Sequence, residues 1–354
     1  MLYITEFFLF ASLLLYIMFG GADFGAGILE AFAGRQQRKR YQEIVSQALA
    51  PVWEANHVWL IVAIVILFMG FPKAYAQIST IFHVPLTILL LGIVLRGASF
   101  AFRYYDPFKD KSHELYTHIF TLSSFVTPIL FGVTFGGIYS HRAIQPGGSY
   151  YSVYIHPWLS PFSMALGLFT CALFAYIAAV YLFGETDDKP QRQDFFKRAR
   201  IAMIATVISG GFVFAAAHMQ GVPLIKRYLT STVCIVSVII ATASLFGIHF
   251  TLQRGMIWLP RIILGAQVVC IIAAWSAAHY PNLLTYADGN HLTLLNAHAP
   301  LVTLSALSWA LMLGSLIIFP SLIFLYNVFK SPATPGSPNA ASTASTSQKN
   351  GECP

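Results

Sequence analysis

The sequence predicts an all-α chain, a polytopic transmembrane helical bundle of about nine spans, on three observations. Of 354 residues, 56% are hydrophobic and only 10% are charged, whereas a soluble domain carries about 25% charged residues to wet its surface. The mean hydropathy is +0.65, so most side chains must meet lipid or other apolar helices. Finally, apolar runs of the roughly 20 residues that a membrane helix needs recur along almost the whole chain.

Taken in order, the first span is expected at about 3–33. Its start, MLYITEFFLF, lacks the basic flank of a cleavable signal peptide, and the apolar run continues too far for one, so it reads as a retained helix. Further spans are expected at about 46–71, 78–103, 115–140, 157–183, 198–220, 229–252, 258–280 and 301–328, because non-helical backbone facing lipid is too costly. The first, second and seventh carry polar or Gly-rich interruptions. Residues 1–330 thus form one membrane-embedded domain, and the intervening segments 141–156 and 281–299 are too short for a further soluble one. The remainder, 331–354, is SPATPGSPNAASTASTSQKNGECP, whose Pro, Ser, Thr and Ala predict a disordered cytoplasmic tail.

The net charge of +7 does not point to nucleic acid, because the basic residues sit in short clusters between apolar runs. With the N-terminus outside, sixteen of the 21 Lys and Arg fall in segments 34–45, 103–114, 184–200 and 253–261 and in the C-terminal stretch from Lys330. Four fall on the other side, namely Lys73, Arg142, Lys226 and Arg227. That asymmetry predicts an outer N-terminus and a cytoplasmic C-terminus. Cys171, Cys234 and Cys270 lie within apolar runs and Cys353 in the tail. With no CxxC pair, neither zinc nor a disulfide framework is implied.

Ionisable groups inside spans are costly and usually face a bundle interior or a water path. Asp23 sits among Gly20, Gly21, Gly25 and Gly27 near the end of the first span, in FGGADFGAGILE. Glu54 opens the second, in PVWEANHVWL, with Trp53, Asn56, His57 and Trp59 around it. At 1.5 Å per residue both acids lie roughly 12–15 Å in from the cytoplasmic side. His57, three residues after Glu54, shares nearly its helix face. The glycines allow a helix or a partner to approach the backbone closely. One function for this pattern is a proton-conducting cluster entered from the cytoplasm. Two others stay open: acids that only stabilise helix packing, and the ion site of a cation-coupled secondary transporter, which a Gly-broken acidic span also suits.

Arg96 and Arg103, seven apart in LRGASFAFRYYDPF, share a face of the third span. Both are candidates for a buried charge partner, although Arg103 can simply snorkel to the interface. Arg96 lies deeper and is expected to pair with an acid, either Asp23 or Glu54. Trp53 and Trp59 suit packing or interfacial positions. His83, His118, His218, His249, His279 and His298 lie in or near spans, but no pair has a distinctive spacing. No haem or metal ligand is therefore expected in this chain, each histidine more simply bonding a backbone carbonyl or lying near an interface.

The segments GGADFGAG (20–27), PVWEANHVWL (51–60), FPKAYA (71–76) and LRGASFAFR (95–103), in this order, resemble subunit II of the cytochrome bd-type quinol oxidase family. On general impression the branch holding the cyanide-insensitive oxidases is nearest. The resemblance implies two four-helix bundles plus one peripheral helix in the bacterial cytoplasmic (inner) membrane. It implies an obligate heterodimer with a haem-bearing subunit I, which carries haems b and d and the quinol site, and no activity for the isolated chain. The complex would oxidise quinol and reduce dioxygen to water with cytoplasmic protons. The resemblance puts Glu54 and Asp23 on the proton path, with His57 beside them, and Trp59 near the mouth of an apolar oxygen tunnel open to lipid. It leaves room for a structural quinone or lipid and for a small single-span accessory subunit. Three positions depart from the pattern: Glu54 where many relatives have Asp, Gly20 where many have a second acid, and His57 where a neutral amide or another residue is frequent.

Overall fold

The computed structural model describes residues 1–49, 53–105, 111–140, 147–286 and 290–330. Along the chain come α1 (Leu2–Ala31), α2 (Arg35–Leu49), α3 (Trp53–Gly70), α4 (Pro72–Ile81), α5 (His83–Tyr105) and α6 (Lys111–Tyr139). Next are α7 (Tyr150–Tyr154), α8 (Pro161–Phe183), α9 (Lys189–Met219), α10 (Leu224–Thr230), α11 (Thr232–Gln253) and α12 (Trp258–His279). The strands β1 (Asn282–Thr285) and β2 (His291–Thr293) precede α13 (Leu301–Lys330). Among the described residues nine helices are long and apolar enough to cross a membrane: α1, α3, α5, α6, α8, α9, α11, α12 and α13. This is the all-α, nine-span architecture that the hydropathy predicts. The expected tail, 331–354, lies outside the described residues.

The departures are local and have sequence causes. The polar run RQQRKRYQEIVSQAL makes a helix of its own, α2, so the second span starts at Trp53 rather than near 46. Pro72 occupies the first turn of α4, where its missing N–H costs nothing, and a separate α5 begins at His83 rather than near 78. Helix α9 starts nine residues before the expected 198, after Asp188 as N-cap and with Pro190 in its first turn. The segment 281–299, read as a plain loop, contains an antiparallel hairpin pairing Leu284 with Leu292 and Thr285 with His291.

Within Met1–Ser305, α1, α3, α5 and α6 form one four-helix group and α8, α9, α11 and α12 a second, joined where α8 packs on both α1 and α6. Helix α8 is buried along most of its length, which suits its run of Ala, Leu, Phe and Val with no charge. One apolar core links the second group through Phe162, Leu166, Val213, Ala217, Cys234 and Ala278. A smaller one seats the hairpin, with Leu284 against Ile81 and Phe82. A second unit begins at Ala306, and of it the structure describes a single apolar helix, the remainder of α13.

Helix α2 is tied down at its end of the bundle. Tyr41 and Val45 are buried. The Tyr41 hydroxyl donates to Asp194 Oδ2 (3.0 Å), which also accepts from Arg198 Nε (2.7 Å). Burial pushes the Tyr41 phenol up, so it remains a donor. Arg40 reaches Asp188 at 2.6 Å.

Candidate functional site

The polar residues of the apolar first group gather on one seam between α1, α3 and α5. Glycines close that seam. A Cβ on Gly25 would lie on the Phe174 carbonyl oxygen and 2.7 Å from Ala178 Cβ, and one on Gly21 would lie 3.0 Å from the Phe174 ring. On the next face, a Cβ on Gly27 would meet Ser124 Oγ of α6. The small residues therefore admit α8 and α6 of this same chain, the close approach that such spacing permits. Gly20 has a different neighbour, the Tyr16 ring of its own helix at 2.9 Å.

Pressed into this seam, Asp23 and Arg96 are both fully buried. Arg96 Nη1 donates to Asp23 Oδ2 at 2.6 Å and Nη2 to Oδ1 at 2.7 Å, while Nη2 also reaches the Asp23 carbonyl at 2.9 Å. This is the two-pronged geometry for which a guanidinium is suited. Phe24 and Phe120 lie under the guanidinium, 4.9 and 5.0 Å from Cζ. Of the two partners open to Arg96 in the sequence, the structure selects Asp23.

His57 completes the cluster. Its Nε2 is 3.5 Å from Asp23 Oδ2, close enough to feel the charge but too long for a strong hydrogen bond. Both ring nitrogens are buried without a hydrogen-bond partner among the described residues, and the Tyr16 and Phe24 rings flank the imidazole. Glu54, one turn earlier on α3, is exposed on the outside of the bundle and makes no ion pair among the described residues. His57 rather than Glu54 is thus the α3 residue beside Asp23, and Glu54 faces outward. Trp53 packs against Gly97 (3.2 Å from a Cβ there) and Phe100. Asn56 and Trp59 are both buried.

Arg103, which the sequence left between the interface and a place as a buried charge partner, lies inside; its side chain is 3% exposed and donates from Nη1 to Glu30 Oε1 at 2.7 Å. Glu30, which sequence reasoning passed over, is fully buried. The signal was there to find: Asp23 and Glu30 are seven apart on α1, as Arg96 and Arg103 are on α5. Two parallel rungs result, and the Phe120 ring lies against both guanidinia, 5.0 Å from Arg96 and 4.3 Å from Arg103.

Nδ1 of His83, His279 and His298 lies 2.9, 2.9 and 2.7 Å from the carbonyls of Thr80, Trp275 and Ala299, and His249 bonds Gln253. No group of three or more His, Cys, Asp or Glu among the described residues is arranged to hold a metal ion. Elsewhere, a cavity of about 230 Å³ lies between the two four-helix groups, lined by Phe10, Phe135, Tyr139, Phe169, Phe214 and Trp275 among others.

The family described as cytochrome bd terminal oxidase subunit II matches residues 1–329. The cytochrome bd-I ubiquinol oxidase subunit 2 of Escherichia coli (strain K12) is 28% identical over 165 residues, 46% of this chain and 43% of that protein. The alignment thus spans less than half the length of that relative. A putative cytochrome bd menaquinol oxidase subunit II of Bacillus subtilis (strain 168) is 22% identical over 335 residues, 89% of this chain and 91% of that one. The fold is similar to that of a chain in the solved bd oxidase from Geobacillus thermodenitrificans, with a TM-score of 0.76 and 21% identity over 92% of this chain and 98% of that chain.

Proposed function

Because the chain belongs to the cytochrome bd terminal oxidase subunit II family, we propose that it is the haem-free half of an oxygen-reducing quinol oxidase and conducts protons to a haem-bearing subunit I. The observation that carries this reading is the buried Asp23–Arg96–His57 cluster with the outward-facing Glu54 one helical turn away. A charge inside a span is tolerated when it is paired or on an ion path, and Arg96 pairs Asp23 fully. His57, with both nitrogens free of hydrogen bonds among the described residues, and Glu54, on the bundle surface, are the groups of this cluster left to take up and release a proton. The haems of subunit I would supply electrons and bind dioxygen. Residues of this chain bring hydrogen ions to that boundary, with the fixed Asp23–Arg96 pair orienting the field around His57.

The charge asymmetry, sixteen Lys and Arg against four, supports an outer N-terminus and a cytoplasmic end at α2. Protons then enter from the cytoplasm while quinol releases its own outside, so charge is separated without a pump. The oxidase displaces the cation-coupled carrier, for which the family gives no support. Dioxygen concentrates in lipid, and Trp59, buried two residues after His57, borders its route from the bilayer. Trp59→Ala is expected to change the oxygen affinity of the complex several-fold more than its quinol affinity; equal changes in steady-state titrations of both would remove Trp59 from that route. The aromatic cavity between the helix groups suits the apolar chain of a structural lipid or quinone.

Purification tests the assignment. Tagged and extracted in mild detergent, the chain should bring down a haem-rich membrane partner, and solvent extraction of that complex should release a stoichiometric lipid or isoprenoid quinone. The chain expressed alone should have no Soret band and no quinol oxidase activity. A stoichiometric haem spectrum from the lone chain would overturn the reading.

A further inference from the structure

The two acid–arginine rungs are not equivalent. Asp23 has both carboxylate oxygens on Arg96. Glu30 uses one: Oε1 accepts from Arg103 Nη1 at 2.7 Å and from Gln42 Nε2 of α2 at 2.9 Å. Among the described residues its Oε2 is buried without a hydrogen-bond partner, and so is Nη2 of Arg103. A native chain rarely leaves a buried acceptor and a buried donor both unpaired in one place unless water or a proton uses them.

The surroundings lead from the α2 end inward. Gln42 Nε2 also lies 3.4 Å from Thr117 Oγ1 on α6, so an amide and a hydroxyl stand at the outer edge of the pair. Arg38 of α2 adds positive charge near Arg103, and Arg198 of α9 is held by Asp194 and the Leu29 carbonyl. Inward, Asp23 lies two helical turns along α1, roughly 10 Å at 1.5 Å per residue. Halfway along, Ser124 Oγ rests on Gly27, an oxygen between the two acids.

We infer that Glu30 is a second proton-holding carboxylate and the cytoplasmic entry station of the path, built by Arg103, Gln42 and Thr117. This rests on the reading that Asp23, His57 and Glu54 serve proton transfer. In each passage a water-borne proton forms an O–H bond to Oε2. That bond breaks as the proton moves by way of water toward Ser124 and the Asp23–His57 cluster. No electrons move, and Oε1 keeps its two hydrogen bonds. Arg103 is a positioning residue, holding the carboxyl so that only one oxygen is open.

The test uses the complex with its haem-bearing partner, in liposomes. Glu30→Gln should slow oxygen consumption at saturating quinol by roughly tenfold or more, within the range lost with a proton-transfer group. The solvent deuterium isotope effect should rise and haem content should not change. Glu30→Asp, which keeps a carboxyl, should restore most of the rate. A protonated-carboxyl band in redox-difference infrared spectra should vanish in Glu30→Gln and persist in Glu54→Gln. A wild-type rate and an unchanged infrared spectrum in Glu30→Gln, with Glu54→Gln slow, would make Glu30 structural and leave the parent reading standing. Wild-type rates in both variants would instead remove the parent reading. If Glu30→Gln fails to assemble, Gln42→Leu decides: it leaves the ion pair but closes the entry, so a several-fold loss of rate supports the station and a wild-type rate overturns it.

Discussion

Arg96→Met is expected to cost the folded subunit about 3–5 kcal/mol, the usual penalty for removing one partner of a buried ion pair. Asp23 would be left at a site with no exposure, without the guanidinium that donates to both of its oxygens and to its carbonyl. His57 at 3.5 Å is the one cationic candidate left beside it. The loss should appear as a lower melting temperature or a poor yield of the assembled complex. Adding Asp23→Asn should recover much of it, because an amide has no charge to bury. The two single and one double variants form a cycle whose coupling energy isolates the pair. A coupling near zero would mean that the two residues do not meet inside the folded chain.

Glu54→Gln is expected to reduce quinol-dependent oxygen consumption by roughly a hundredfold, a typical contribution of a positioned proton-transfer group. Assembly and haem content should be unchanged. The two expectations separate because the two acids are placed differently. Asp23 is locked to an arginine in the interior, whereas Glu54 is exposed in the first turn of α3 with no ionic partner among the described residues. Losing the carboxylate of Glu54 removes a proton carrier without leaving a charge stranded. Glu54→Asp should retain most of the activity. Turnover near wild type in Glu54→Gln would make the acid structural or redundant.

Much of this was legible in the sequence. Long uncharged runs must be helical in lipid, so nine spans and their order follow from hydropathy. The ends were less legible where a helix continues past the apolar run, as α9 does into Lys189–Arg198, or where a polar segment folds as its own helix, as α2 does. Hydropathy is blind to both because neither changes the apolar count. The hairpin of β1 and β2 escaped for a related reason: its strands are four and three residues long, and their pairing rests on Leu284 meeting Ile81 and Phe82 from distant segments.

The site was legible in part. Asp23, Glu54, His57 and Arg96 stand out because each is a polar group in an apolar run. Which acid pairs with Arg96 depends on helix rotation, which spacing alone does not determine. Glu30 was passed over because it lies near a span end, where charge is unremarkable, and Arg103 stood open to the interface for the same reason. Only the shared spacing of seven on α1 and α5 marks them as a rung.

The central claim is that carboxylates of this chain deliver protons from the cytoplasmic side to a redox centre held by another polypeptide. Time-resolved electrometry on the liposome-reconstituted complex tests it directly, by mixing the reduced enzyme with dioxygen and following membrane potential and haem absorbance together. The account predicts that Glu54→Gln leaves the binding of dioxygen intact but abolishes or greatly slows the protonic phase of the potential. A potential of wild-type size and speed in that variant would contradict it.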